Sequence, residues 1–342
     1  MGKSMILHKT GRKPLFRLEE KETGKPKGKD LLIEVHTAGV NFADVLMAQG
    51  LYPDAPALPS VPGYEIAGFV KEAGKGSQFK KGDRVAALTY FGGYTDEIII
   101  DEEQAIPVPK NLSLEEAVSI PVNYVTAAIA LIDMCRVREG DWVLVHGGAG
   151  GVGRLALQIA KTRGAKTIAT VGSAVKFKTA KEAGADYVVN YREKDFRSEV
   201  QKITGGRGAD CILDPIGGRN LIRDFGCLVP SDRVVLFGLA DIMKEGKASR
   251  IGGLTAFVKS LRFSPMLLMN RNNGVFGLNV IKYFGTRSEE RLQAHLREGI
   301  ALAAKKKIIP LIGGTYKLED AQCALIELAS RKTVGKLILR CR

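Results

Sequence analysis

The 342-residue sequence predicts an α/β protein with one β-rich part and one part in which strands and helices alternate. Three observations carry this expectation. The first third of the chain holds short extended runs separated by Gly- and Pro-containing turns. From Asp141 onward, strand-like and helix-like segments take turns. At the first of these alternations, between a strand and a helix, sits Gly148-x-Gly150-x-x-Gly153. With 45% apolar and 26% charged residues, the chain has material for one large core or two smaller ones, which excludes a largely disordered protein. At roughly 100–200 residues per domain, the length favours two.

In the first third, 31–35, 65–70, 84–88 and 94–100 read as strands, separated by Pro62-Gly63, Gly74-Lys75-Gly76 and Gly82-Asp83. Ser113-Leu114-Glu115-Glu116 has the form of a capping box, in which a hydroxyl and a carboxylate each satisfy a backbone N–H, so a helix should start there. Beyond it, 142–146, 166–171, 187–190, 211–215 and 233–238 read as strands, and 151–163, 174–183, 194–204 and 220–228 as helices. Short apolar strands joined by helices predict a parallel sheet covered on both faces. Residues 241–273 mix Arg and Lys with Leu, Phe and Met and fit no such unit. Residues 274–280 then read as a further strand, 288–304 as a helix capped by Ser288, 318–330 as a helix and 336–340 as a closing strand.

Lys and Arg number 51 against 37 Asp and Glu, a formal charge of +14, and residues 1–30 alone hold nine against four. Most such charge covers a solvated surface. The sharper alternative is an anionic partner (a phosphorylated cofactor, nucleic acid or anionic lipid), and charge alone does not choose among these. No stretch approaches the roughly 18–20 apolar residues of a membrane span, and the first residues show no secretory pattern. The five cysteines at 135, 211, 227, 323 and 341 are scattered, as are the four histidines. Reduced thiols in a cytoplasmic protein without a metal site are expected.

The segment Val143–Gly153 carries the sharpest chemistry. Glycine permits the tight turn, the bare backbone lets a pyrophosphate approach, and the helix N-terminus supplies N–H groups and partial positive charge. Gly148, Gly150, Gly151, Val152 and Gly153 form the expected cradle. An NAD site calls for an acid about 20 residues further on. Here the next strand runs instead into Gly172 and Ser173, with Lys176 and Lys178 following. A carboxylate would repel a 2′-phosphate, whereas a hydroxyl and an ammonium would hold it, so the expected cofactor is NADP(H). Tyr191, ending the third strand, would stack near the adenine; a surface tyrosine at a strand end is the alternative.

Further segments extend the pattern: Ala38–Asp44, Gly50-Leu51-Tyr52-Pro53, Pro62-Gly63-Tyr64-Glu65, Gly82–Val85, Gly184–Tyr191, Asp214–Gly217 and Gly335-Lys336. In this order they resemble the medium-chain dehydrogenase/reductase superfamily, specifically its zinc-free quinone oxidoreductase (zeta-crystallin-like) branch. The 241–273 insertion and the 269–279 stretch resemble the subgroup containing the synaptic vesicle membrane protein homologue. The resemblance implies a GroES-like β-rich catalytic domain (1–124 and 283–342) interrupted by a Rossmann NADP(H)-binding domain (125–282). The strand 274–280 would be its last, the edge through which a homodimer forms. Zinc-dependent members carry Cys where this chain has Asn41, and Gly-His-Glu where it has Gly63-Tyr64-Glu65. The four-Cys loop is missing, since no Cys precedes Cys135. Without soft or imidazole ligands, tight zinc binding is not expected.

The resemblance further implies hydride transfer from NADPH to a quinone, or to an enone or enoyl thioester. Asn41 and Tyr52 lie in the segment nearest the expected nicotinamide. In related enoyl-thioester reductases a Tyr in a matching Gly-x-Tyr-Pro context is the proposed proton donor, and Tyr52 stands in that context. A packing aromatic braced by Pro53, and a turn-stabilising amide, are the alternatives for Tyr52 and Asn41. By the same resemblance Thr126 would contact the nicotinamide side or a phosphate, and Phe237, Gly238, Leu239, Phe276 and Leu278 would line the nicotinamide pocket. Lys336 would take the pyrophosphate, while His146 and His36 are expected to be packed. No aromatic RNP-like motif or recognition helix supports nucleic-acid binding. Residues 254–271 have the mixed basic and apolar composition of a membrane-surface segment, and read first as a lid or a dimer contact.

Overall fold

The computed structural model describes residues 2–244, 247–248 and 265–342. The chain divides into two compact units, Met1–Val122 with Tyr283–Arg342, and Asn123–Lys282.

The first unit is built on a seven-stranded sheet. Ile312–Lys317, Lys336–Arg340, Asp30–Val40, Glu65–Ala73, Arg84–Leu88 and Ala105–Pro107 lie side by side, and Glu97–Asp101 also pairs with Asp30–Val40. The long strand takes two partners along one edge: Asp30 to Glu34 face Asp101 to Glu97, and Thr37 to Val40 face Arg340 to Leu337. Leu31, Ile33, Val35, Ile66 and Val85 are fully buried between these elements. Burying one such side chain contributes about 1.5–3 kcal/mol. The capping box holds: Ser113 Oγ accepts the Glu116 N–H at 3.1 Å, and the Glu116 carboxylate accepts the Ser113 N–H at 2.8 Å.

Two elements of this unit were missed in the sequence, and one expectation is corrected. A hairpin of Gly2–Lys9 and Leu15–Lys21, pairing Met5 with Leu18 and Leu7 with Phe16, was not legible in the mixed composition of its strands. The strand Ile312–Lys317 is hidden by Gly313 and Gly314; at Gly313 a Cβ would lie 1.7 Å from the Val334 carbonyl oxygen, so no side chain fits. Ser288 does not cap Glu289–Ala304 with its side chain, because its backbone is already helical, at φ −87 and ψ −3.

The second unit holds six parallel strands in the order Tyr187–Asn190, Lys166–Val171, Trp142–His146, Ala209–Asp214, Leu228–Leu236, Gly274–Gly277. By position in this unit that is the order 3-2-1-4-5-6 of a doubly wound nucleotide-binding sheet. Leu144, Ile168, Ile212 and Val234 are buried in its centre, packed with Phe196, Val200, Leu221 and Phe225 from the covering helices. The helix expected at 174–183 is instead a 3₁₀ turn, Ala174–Lys176, followed by Phe177–Glu182. The last strand stops at Gly277 and, among the described residues, has a neighbour on one side only. Within 241–273, Met243–Lys244 pairs with Lys247–Ala248, and Pro265–Arg271 is a helix. Most of the segment read as a membrane-surface, lid or dimer element lies outside the described residues. Among the described residues no helix is long and apolar enough to cross a membrane.

Candidate functional site

The strand Trp142–His146 ends at Gly147, and Gly150 stands at the start of the helix Gly151–Thr162. Gly150 offers no side chain to cap that helix, so its first N–H groups lack intrahelical partners and concentrate the positive end of the dipole. The loop is as close to the sheet as backbone permits. A Cβ on Gly153 would lie 2.3 Å from the Gly147 carbonyl oxygen, one on Gly148 2.6 Å from the Ala169 Cβ, and one on Gly151 2.5 Å from Asn123 Nδ2. A side chain at any of these positions would collide with the protein itself and push the loop out of place. Val152 follows half-buried in the first turn, and Thr126 is buried on the helix Pro121–Ala128. The arrangement suits a pyrophosphate resting on bare backbone.

The neighbouring strand ends beside this loop, in register with it. The Tyr191 N–H donates to the Val171 carbonyl at 3.1 Å, and the Tyr191 hydroxyl lies 2.7 Å from where a Gly172 Cβ would stand. Ser173 opens the turn in which the Lys176 N–H donates to its carbonyl at 3.1 Å. Lys176 is half-buried. Burial, and then the charge of Arg192, hold its ammonium below the ordinary lysine range. Lys178 points away, exposed, and meets Glu182 at 3.9 Å. The structure thus brings Gly172, Ser173, Lys176 and Tyr191 together and adds Arg192, which the sequence reading missed. The available signal was a second cation directly after the strand-ending Tyr191. Two cations close enough to disfavour one another suit a multiply charged anion. The unit Asn123–Lys282 carries 24 Lys and Arg against 14 Asp and Glu, so ten of the chain's fourteen surplus positive charges sit there.

Further along the same sheet, backbone loops interlock at the C-terminal strand ends. Phe237 N–H donates to Asp214 at 3.0 Å, Ala240 to Pro215 at 3.2 Å, Asp241 to Ile216 at 2.9 Å, and Leu278 to Leu236 at 2.8 Å. A Cβ on Gly238 would lie 2.5 Å from the Pro215 carbonyl oxygen. Phe237, Gly238, Leu239 and Leu278 therefore stand on adjoining strand ends, the edge at which such sheets receive ligands. Phe276 lies on the outer strand, partly exposed.

In the first unit a polar cluster is sealed under the sheet. The Glu65 carboxylate lies over Gly39, where a Cβ would come within 2.3 Å of Oε1. It accepts from Asn41 Nδ2 at 2.8 Å and from the Val122 N–H at 2.7 Å, and it pairs with the Lys336 ammonium. Lys336 Nζ also donates to Asn41 Oδ1 at 2.6 Å. Lys336 is 3% exposed. Here the ammonium expected at a pyrophosphate ties the last strand to Glu65 and Asn41. Asn41 likewise has both ends of its amide engaged, by Glu65 and by Lys336. Next to it, Asp44 accepts the N–H groups of Asn41 at 2.8 Å and Gly63 at 3.0 Å. Burial pushes its pKa up to about 7 against those hydrogen bonds. Tyr52 is half-buried, with its ring edge-on to Tyr64 at 5.9 Å, and Tyr64 packs on Phe91 at 5.2 Å.

These residues do not fit a zinc ion. An amide already bonded at both ends, a phenol, and an ammonium beside the Glu65 carboxylate make a poor donor set for a dication. Among the described residues no group of three or more His, Cys, Asp or Glu could hold a metal ion.

Comparison with known proteins agrees with both units. The zinc-binding dehydrogenase model matches residues 151–281, and the alcohol dehydrogenase GroES-like domain model matches 27–110. The chain is 33% identical over 310 residues to the Rattus norvegicus synaptic vesicle membrane protein VAT-1 homolog, covering 90% of this chain and 76% of that protein. It is 32% identical over 319 residues to the Rattus norvegicus quinone oxidoreductase, covering 92% and 90%. Its structure is similar to that of the Escherichia coli quinone oxidoreductase complexed with NADPH, with a TM-score of 0.86 and 31% identity over 99% of each chain. It is also similar to the human VAT-1 homolog-like protein, with a TM-score of 0.84 and 26% identity over 99% and 98%.

Proposed function

The chain belongs to the medium-chain dehydrogenase/reductase family, with quinone oxidoreductases among its relatives, and from that premise we propose that it is an NADPH-dependent, zinc-independent reductase of quinones or related conjugated carbonyls. The observation that carries this reading is the strand end where the Tyr191 hydroxyl covers Gly172 beside a glycine cradle, with a half-buried Lys176 whose ammonium feels the charge of Arg192. A 2′-phosphate suits that end, and a pyrophosphate suits the cradle. Bound NADPH supplies the hydride. Gly148 to Gly153 would hold its pyrophosphate, Ser173 and Lys176 its 2′-phosphate, Tyr191 would stack near its adenine, and the 237–239 backbone with Leu278 would line its nicotinamide end. Residues 1–124 and 283–342 are assigned as the catalytic domain and 125–282 as the cofactor domain. The five cysteines are unpaired, which fits a cytoplasmic protein.

A quinone spreads incoming negative charge over its oxygens, so one hydrogen-bond donor is enough. Reduction of an enone or enoyl thioester also needs a proton delivered to carbon. Tyr52 is the assigned donor. Following NADPH absorbance with a quinone and with an enone tests the function: oxidation of neither overturns it. With Tyr52→Phe, quinone reduction is expected to stay within about threefold while enone reduction falls about a hundredfold. Equal rates on both acceptors would reduce Tyr52 to a packing aromatic.

We also assign the outer strand Gly274–Gly277 as a homodimer edge, since exposed Met266, Leu267 and Met269 lie on the preceding helix and Phe276 on the strand itself. Sedimentation velocity is expected to show a dimer that Phe276→Lys converts to monomer; a monomeric wild type overturns the assignment.

A further inference from the structure

A buried polar chain crosses the second unit, and nothing in the mechanism above uses it. His146, 2% exposed, closes the strand that leads into the glycine loop. Its Nδ1 lies 2.8 Å from Thr170 Oγ1 on the neighbouring strand, and its Nε2 lies 2.7 Å from Asp224 Oδ1. Asp224 sits on the helix Arg219–Phe225, and its other oxygen accepts from Asn220 Nδ2 at 3.1 Å. The same amide reaches Asp214 Oδ1 at 3.3 Å. Asp214 ends its strand, and its carboxylate accepts the N–H groups of Ile216 at 2.7 Å and Gly217 at 3.1 Å. The turn 215–218 thus hangs from Asp214. That turn in turn fixes Ala240 and Asp241 through the Pro215 and Ile216 carbonyls and has Gly238 packed against it.

Two fully buried carboxylates and an imidazole are a costly way to fill a core, since apolar residues of similar volume usually serve as well or better. From His146 the chain runs through Asp224, Asn220 and Asp214 to one turn at the ligand-receiving edge of the sheet. Resting on the cofactor reading above, we propose that His146 and Asp224 are positioning residues for cofactor binding: through Asn220 and Asp214 they hold the turn 215–218, and with it the backbone of 237–241, where the nicotinamide end docks, and protonation of Asp214 loosens that hold.

The groups facing this chain are few. Arg223, on the same helix as Asp224, stacks on the Phe196 ring at 4.4 Å, and the edge of Phe196 meets His146 at 4.8 Å. Burial opposes the imidazolium, but the charges of Asp224 and Asp214 more than offset it, and Arg223 works against them, leaving the His146 pKa raised. Burial and then the Asp224 charge push Asp214 up to about 7, while His146 and the two N–H groups pull it down. As pH falls through this value, Asp214 gains a proton and becomes a weaker acceptor for Ile216 and Gly217. Removing the Asp224 charge lowers the Asp214 pKa, so the change must move to lower pH.

The test is calorimetric binding of NADPH and of 2′,5′-ADP to the full chain between about pH 5.5 and 8.5. The second ligand keeps the 2′-phosphate and lacks the nicotinamide, so the ratio of the two affinities isolates the nicotinamide end and cancels titration of the phosphate. In the wild-type protein the ratio is expected to fall about fivefold or more from pH 8 to 6. In Asp224→Asn, whose single amide oxygen cannot serve both His146 and Asn220, the ratio is expected to drop about tenfold at pH 8, with its pH-dependent limb displaced downward. His146→Gln, which keeps a donor toward Asp224, is expected to lie between. A ratio unchanged within about twofold in both variants overturns the proposal. So does an equal loss of both ligands accompanied by a lower melting temperature, the mark of a merely structural role. Failure of the wild-type protein to bind 2′,5′-ADP sinks the cofactor reading instead, and is thereby told apart.

Discussion

Replacing Lys176 by alanine is expected to raise the KM for NADPH about thirtyfold and to leave that for NADH within about twofold. A charge-assisted bond to phosphate contributes about 2 kcal/mol, and 1.4 kcal/mol is a factor of ten. Lys176 is half-buried and already disfavoured as a cation by burial and by Arg192. A bound dianion relieves both penalties, so the full contact is lost in the alanine variant. Arg192→Ala should weaken NADPH in the same direction, by less, because Arg192 is exposed and solvent screens it. Steady-state kinetics with both cofactors decides this. Equal effects on NADPH and NADH, or none, would remove the 2′-phosphate from this strand end.

Lys336→Met is expected to lower stability by about 3–5 kcal/mol, read as a reduced urea midpoint by circular dichroism. The reason is what remains behind. The Glu65 carboxylate would lose its ammonium partner and be left with the Asn41 amide and the Val122 N–H, in a place sealed from water. Adding Glu65→Gln to Lys336→Met should recover part of the loss, because no uncompensated charge then stays buried. A cost below about 1 kcal/mol for the single variant would mean that the pair is not the tie the geometry describes.

What could be read along the chain follows from how local each signal is. Trp142–His146, Lys166–Val171, Tyr187–Asn190 and Lys336–Arg340 are short apolar runs bounded by turn residues, and they stand where the pattern places them. The capping box at Ser113 and the glycine loop are contained in a few consecutive residues, so their geometry is written in their spacing. The hairpin Gly2–Lys9 with Leu15–Lys21 escaped because its second strand is mostly exposed and carries no apolar face of its own. Arg192 escaped because its relation to Lys176 runs across two strand ends.

By itself the sequence determined the doubly wound half, the phosphate loop, the lack of an acid after the second strand, and the missing soft ligands at Asn41 and Tyr64. Each of these is a property of residue type at short range, where steric freedom and charge act directly. The tertiary structure alone decided what the buried charges do. Lys336 lies 295 residues from Asn41, and Asp224 lies 78 from His146. An ammonium, a carboxylate or an imidazole is neither ligand nor brace until the fold chooses its partner, because once it is removed from water its role is set by the nearest opposite charge or hydrogen-bonding group rather than by its neighbours along the chain.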